Sequence, residues 1–166
     1  GILLAGHMRD LGFSGVQIGY VYATGALAAL VSPLLAGWLA DHVLPTQRLA
    51  GACYLACAPI LAWAWRQSDF AGLWTALCLF QLLHVPTMAL TNVVALHHLP
   101  DPRRIGHVRV WGTVGWVAMS WCLSLYLALW ERWAPHASHL GDGLLVACLL
   151  AVVTGLYCFT LPHTPP

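Results

Sequence analysis

The chain has 166 residues, of which 60% are hydrophobic and only 8% are charged, and its formal net charge is +1 at pH 7. A soluble domain carries roughly 25% charged residues, so seven arginines and six acidic residues exclude an ordinary water-soluble fold. The chain has no lysine and no cluster of basic residues, which excludes a nucleic-acid-binding surface of the usual kind.

The chain opens with an apolar segment, GILLAGHM, that stops at Arg9. A signal peptide would begin with a positive region and end on small residues at a cleavage site, and neither feature is present. We expect residues 1–8 to be the tail of a membrane-spanning helix 1 that begins before this sequence.

Five long apolar segments follow, and each is close to or longer than the roughly 20 residues that carry a helix across a bilayer. They predict helix 2 at 16–40, helix 3 at 49–65, helix 4 at 70–96, helix 5 at 109–130 and helix 6 at 143–161. The segments do not alternate in polarity, which excludes barrel strands. Because the connections are short, consecutive helices are expected to be antiparallel neighbours. The pattern predicts an all-α polytopic membrane protein.

The connection between predicted helices 2 and 3 has the sequence GWLADHVLPTQR. Gly37, Asp41 and Arg48 in it resemble the Gly-x-x-x-Asp…Arg signature of major facilitator superfamily transporters. The resemblance implies that these three residues form a gate on the cytoplasmic side. A slight excess of arginine on this side of the membrane agrees with that orientation. Without the resemblance, an acid and an arginine at the lipid–water boundary need no function.

Predicted helix 4 carries a polar stripe of His84, Thr87 and Thr91, which share one helical face. Polar side chains in a spanning helix face protein or water, not lipid. The stripe is therefore interpreted either as hydrogen bonding between helices or as the lining of a solute cavity. On the second interpretation His84 and Thr87 are candidate substrate-binding residues.

The segment HVRVWGTVGWV opens predicted helix 5 and contains a second candidate group. Arg109, Thr113 and Trp116 are spaced i, i+4 and i+7, so they share a face. Arg109 is near enough to the helix start for its side chain to reach the lipid headgroups. Alternatively, a guanidinium, a hydroxyl and an indole in one line suit a flat polar ligand, because arginine offers a planar fork of donors.

Three segments together resemble the nucleoside:proton symporter family of the major facilitator superfamily: residues 11–41, 86–102 and 108–118, of which VRVWGTVGW is the most specific. The resemblance implies the N-terminal six-helix bundle of a twelve-helix transporter, lacking most of helix 1. It implies substrate binding by Arg109 and Thr113, with an aromatic contact from Trp116. The implied partners are a nucleoside, protons, the lipid bilayer of the bacterial inner membrane and the missing C-terminal half.

No acidic residue lies inside a predicted span, although a proton symporter needs a group that titrates within the membrane. The coupling group is therefore expected either in the missing half or at His84, since histidine titrates near neutral pH. Cys53, Cys57 and the four other cysteines lie in apolar segments and are interpreted as small packing residues. Neither a metal site nor a cofactor is predicted.

Three alternatives remain open. The chain could belong to a major facilitator transporter of another small polar solute, such as a sugar or an aromatic acid. It could be an integral membrane enzyme or haem protein that uses its histidines, although we expect a transporter and not an enzyme. This alternative predicts that metal or haem accompanies the purified protein and that replacing His84, His97 or His98 abolishes activity. It could also be a membrane scaffold that transports nothing.

Overall fold

The structure, a computed structural model, describes residues 2–42, 45–133 and 139–162. Within these ranges the ordered elements are helices, and no strand is present. A short 3-10 helix, Pro102–Arg104, precedes the fifth α-helix. The α-helices are α1 Ile2–Asp10, α2 Gly15–His42, α3 Thr46–Trp65, α4 Phe70–His98, α5 Ile105–Trp133 and α6 Asp142–Thr160.

Five of these helices, α2 to α6, are long and apolar enough to cross a membrane by their length and composition. The predicted all-α polytopic fold is therefore confirmed. α5 begins at Ile105, about one turn before the predicted start, so that Arg109 lies inside the helix and not at its first residue.

Local sequence signals explain where two of the spanning helices begin. Before α2, the backbone N–H of Ser14 donates to Gln17 Oε1 at 2.8 Å, and the N–H of Gln17 donates to Ser14 Oγ at 3.3 Å. This reciprocal pair is a capping box, which satisfies two donors that the first helical turn leaves free. At α4, the carboxylate of Asp69 accepts from the N–H of Gly72 at 2.7 Å.

The helices do not pack in chain order. α3 packs against α6 and α4, and α4 packs against α2, whereas α2 and α3 touch only slightly. Consecutive helices were expected to be antiparallel neighbours; α3 and α4 do pack closely, whereas α2 with α3, and α4 with α5, make only slight contact. Short loops restrict the direction of the next helix, but the fit of side chains decides its partner.

The contact between α3 and α6 depends on two glycines. A Cβ on Gly155 would lie 2.8 Å from Leu55 Cγ and 3.1 Å from the Leu55 backbone nitrogen, and a Cβ on Gly51 would lie 3.1 Å from the Gly155 carbonyl oxygen. Small residues let membrane helices approach until their backbones are close, and dispersion forces then hold them. The buried cluster beside this contact also includes the small side chains of Ala50 and Cys158.

Candidate solute-binding and gate residues

The first half of α5 displays three of the candidate binding residues at its surface. Arg109, Thr113 and Trp116 are all exposed, and no residue in the apolar span of α5 is buried among the described residues. The hydroxyl of Thr113 donates to the carbonyl oxygen of Arg109 at 3.2 Å, which holds it against the same turn of the helix. Exposure by itself does not separate a cavity-facing side chain from a lipid-facing one.

The second half of α5 indicates which of its faces is turned toward the bundle. Leu123 lines a cavity of about 250 Å³ together with residues from α1, α3, α4 and α6, among them His7, Leu61 and Phe80. Arg109 and Trp116 precede Leu123 by fourteen and seven residues, and an α-helix drifts by only about 20° per seven residues. Arg109 and Trp116 therefore continue the face of α5 that meets the bundle.

His84 and Thr87 lie in a different place, between α4 and α3. The His84 ring is stacked on Phe80, with ring centroids 4.9 Å apart, and meets Tyr54 of α3 edge-on at 6.1 Å. Thr87 is fully buried, and its hydroxyl donates to the His84 carbonyl oxygen at 2.6 Å.

Among the described residues, the side chains of this stripe meet α3 through a ring contact, between His84 and Tyr54. The threonine hydroxyls bond within α4 itself, since Thr91 likewise donates to the Thr87 carbonyl oxygen at 2.8 Å. Neither of the two interpretations given to the stripe, hydrogen bonding between helices or the lining of a cavity, is decided by these bonds. The structure thus separates the predicted binding residues into a group on α5 and a group facing α3. A solute-binding role for either group stays a prediction.

The three predicted gate residues lie around the connection between α2 and α3. Gly37 is inside α2, and a Cβ there would meet no described atom within 4 Å, so the close helix approach expected at this glycine is not made by the described residues. Asp41 is in the last turn of α2, and its side chain lies outside the described part of the structure. Arg48 is exposed in the first turn of α3, and its N–H donates to the Pro45 carbonyl oxygen at 2.9 Å.

Metal-binding geometry is absent from the described residues, where no three His, Cys, Asp or Glu side chains are grouped closely enough to hold an ion. The six cysteines are free thiols. Most are at least partly buried, as expected for packing residues, but Cys122 is exposed on α5.

Sequence analysis missed one polar cluster, at the end of the bundle opposite Arg109. Tyr126 and Trp130, one turn apart on α5, meet His139 and Asp142 at the start of α6. The i, i+4 spacing of the first pair and the i, i+3 spacing of the second are visible in the sequence. Only their positions at the ends of consecutive helices could have suggested that the two pairs meet.

Comparisons with known proteins agree with this architecture. The family described as "Nucleoside H+ symporter" matches residues 2–166. The chain is 35% identical over 156 residues to a putative nucleoside transporter, YegT, of Escherichia coli K12, covering 93% of this chain and 36% of that protein. It is 29% identical to the xanthosine permease of the same organism, covering 95% of this chain and 37% of that protein.

A solved structure is similar over nearly the same region. The crystal structure of the nucleoside transporter NupG superposes with a TM-score of 0.80 at 27% identity, covering 93% of this chain and 37% of that chain. The chain thus spans little more than a third of the length of these relatives. Its five apolar helices and these relatives make it a multi-pass protein of the bacterial inner membrane. The chain belongs to the nucleoside:proton symporter family.

Proposed function

We propose that this chain is the N-terminal part of a transporter that takes up nucleosides together with protons, by alternating access. Family membership and the resemblance to nucleoside transporters support this activity. In this mode of transport, two halves rock around a binding site near the middle of the membrane. The function proposed is transport, with no chemical change to the solute.

The observation that carries the proposal is the position of Arg109 and Trp116 on the face of α5 that continues to Leu123 and the bundle cavity. A nucleoside offers a flat base and a sugar with adjacent hydroxyls. Trp116 would stack on the base, since aromatic stacking is tolerant of base identity. Arg109 would direct its fork of donors to a carbonyl or a hydroxyl pair, and Thr113 would supply a further hydroxyl contact.

His84 and Thr87 take a supporting part in this proposal. Their contacts with Tyr54 and Phe80 favour a role in fixing α4 against α3 over direct contact with the solute. Gly37, Asp41 and Arg48 are proposed to form the gate on the cytoplasmic side, as their resemblance to the superfamily signature implies.

The proton-coupling group is proposed to lie outside these 166 residues. The acidic residues of the chain occupy helix ends and connections, as Asp69 and Asp142 illustrate at the beginnings of α4 and α6. His84 is the alternative, because it is a titratable side chain within a span. Replacing His84 with glutamine in the full-length protein would abolish proton dependence of uptake only on this alternative.

The experiment that tests the function is uptake of labelled uridine by cells that express the full-length protein, with and without a proton gradient. We expect uptake that is saturable and collapses when the gradient is dissipated. Absence of uptake for uridine and for purine nucleosides such as xanthosine would refute the proposal.

The variant Arg109→Lys distinguishes a transporter of nucleosides from a transporter of anionic solutes. A single positive charge is enough for a carboxylate, so a transporter of aromatic acids would keep much of its activity with lysine. A site that uses the planar fork to bind neutral groups would lose most of its activity, as with Arg109→Ala. Arg66→Lys, at an exposed arginine outside both the proposed binding site and the proposed gate, is the matched control for the substitution itself.

A further inference from the structure

Four side chains join the end of α5 to the beginning of α6. The Tyr126 hydroxyl donates to Asp142 Oδ2 at 2.9 Å, and His139 Nδ1 lies 3.0 Å from the same oxygen. The rings of Trp130 and His139 are tilted by 31° with centroids 4.6 Å apart. We name these four residues, Tyr126, Trp130, His139 and Asp142, the α5–α6 clamp.

The Tyr126–Asp142 hydrogen bond of the clamp joins α5 to α6, and α5 packs only lightly elsewhere among the described residues. The span of α5 has no buried residue, and α5 makes far fewer contacts with α4 than α4 makes with α2 or α3. Beside the clamp, Leu123 lies 3.8 Å from where a Cβ on Gly143 would stand. Because α5 is packed so lightly, we expect its direction to depend on each of its few attachments, of which the clamp is one.

The clamp places a histidine, His139, beside a carboxylate and an indole. Histidine is the side chain that ordinarily gains or loses its charge between pH 5 and 8. A protonated His139 would face the Asp142 carboxylate at hydrogen-bonding distance, and charge-assisted hydrogen bonds are stronger than neutral ones. The same positive ring would lie within the 6 Å range in which a cation is attracted to an indole face.

Among the described residues, the titratable groups shown near His139 are Asp142, Tyr126 and His7. Asp142 contacts His139 directly, and the Tyr126 hydroxyl donates to the same Asp142 oxygen. From α1, the His7 ring packs beside Gly141, where a Cβ would lie 2.9 Å from its Cε1 atom. The charges of Asp10 and Asp142 act on His7. In both histidines the Nε2 atom is buried and has no hydrogen-bond partner among the described residues.

We propose that the α5–α6 clamp is a proton-responsive positioning device, in which protonated His139 tightens the hold on α5 and so orients Arg109, Thr113 and Trp116. Its two contacts, with Asp142 and Trp130, are both strengthened by the same positive charge. Because α5 is one continuous helix, a change in how firmly Trp130 is fixed changes the direction of the helix axis and so the position of its first turns. Only the last step, the effect on a bound solute, rests on the proposed function.

The position of α5 can be measured without any solute. Spin labels at Val110→Cys on α5 and Leu96→Cys on α4, both exposed, report the distance between the two helices at the Arg109 end. The full-length protein is used, with its other reactive cysteines replaced by serine. We expect a narrower distance distribution at pH 5.5 than at pH 7.5. A control pair at Ala56→Cys and Leu156→Cys, on the packed helices α3 and α6, should not change.

Variants assign the response to the clamp. His139→Gln keeps a polar side chain without a titratable ring and should remove the pH response, whereas His107→Gln, an exposed histidine outside the clamp, should keep it. Trp130→Phe should retain the fold and reduce the response. The proposal is overturned if the unsubstituted protein shows no difference between the two pH values. It is also overturned if the response survives His139→Gln and disappears in His7→Gln, because the sensing group is then His7.

Nucleoside binding tests the last step. In the unsubstituted protein the dissociation constant at pH 5.5 should be lower than at pH 7.5, and His139→Gln should reduce that ratio by about two- to fivefold, the factor that a partly exposed cation–aromatic contact supplies. An unchanged ratio overturns the link between the clamp and the site. If the protein binds no nucleoside at either pH, the proposed function fails, and the spin-label distances still decide whether the clamp responds to protons.

Discussion

The substitution Gly155→Ala tests the packing of α6 on α3. The added Cβ would lie 2.8 Å and 2.9 Å from Leu55 Cγ and Cδ2, and 3.1 Å from the Leu55 backbone nitrogen. A Leu side chain can change rotamer, but the backbone nitrogen moves only if the helices separate. To relieve the contact with the backbone nitrogen, α3 and α6 would have to move apart by several tenths of an ångström. Overpacking of this kind costs about 1–3 kcal/mol.

The matched control is Gly143→Ala, on the same helix. There the nearest atom, Leu123 Cδ2, would lie 3.8 Å from the new Cβ, an ordinary contact distance. The gain in helix propensity, about 1 kcal/mol in a helix interior, is larger for Gly155→Ala than for Gly143→Ala, because Gly143 is in the first turn of α6. This gain opposes the overpacking cost of about 1–3 kcal/mol, so we expect Gly155→Ala to be less stable than Gly143→Ala by about 1–2 kcal/mol.

The assay is the thermal unfolding of the purified full-length protein in detergent, followed by the loss of its monodisperse peak on size exclusion. Gly155→Ala should unfold at a temperature several degrees below Gly143→Ala. Equal midpoints for the two variants would contradict the close approach of α3 and α6 at Gly155.

Three further predictions concern single side chains. Asp69→Ala should destabilise the protein by about 1 kcal/mol because it removes the acceptor for the Gly72 N–H, while Asp69→Asn keeps that acceptor and most of the stability. Thermal unfolding compares the two variants, and equal losses of stability would contradict a capping role. Thr87→Val should leave nucleoside uptake within about threefold, since the lost hydroxyl contact is worth about 0.6 kcal/mol on average, and abolished uptake would instead place Thr87 at the solute. Trp116→Ala should raise the half-saturating nucleoside concentration at least fivefold, from the loss of about 1–3 kcal/mol of stacking, while Trp116→Phe should change it far less; equal effects would exclude stacking.

The fold class and the family could be predicted because their signals are local. Uncharged segments of spanning length predict membrane helices wherever they occur, and the α2 and α4 segments were found with nearly their observed bounds. The start of α5 was placed about one turn late, because the polar residues before Arg109 hid a helix that extends beyond the apolar segment. The candidate group on α5 was also found locally, from three side chains on one helical face.

Other parts of the candidate site could not be predicted from spacing. His84 and Thr87 share a face on α4, but whether that face meets a cavity or a helix depends on α3, whose Tyr54 occupies it. The clamp required knowledge of how the end of α5 and the start of α6 are placed, although both pairs of residues were visible in the sequence.

The sequence by itself determined that this chain forms membrane-spanning helices. Its apolar segments are long enough to cross the hydrocarbon core, and in lipid their backbone groups must be hydrogen-bonded within the protein, which a helix achieves within one segment. It also determined the family, through the residues that open α5. Only the tertiary structure decided which helices are partners, since nearly every apolar face can pack against another in lipid. Gly51 and Gly155 select α6 as the neighbour of α3 by allowing a backbone distance that no larger residue permits. That choice of partners leaves the span of α5 without a buried residue among the described residues, with Arg109 exposed.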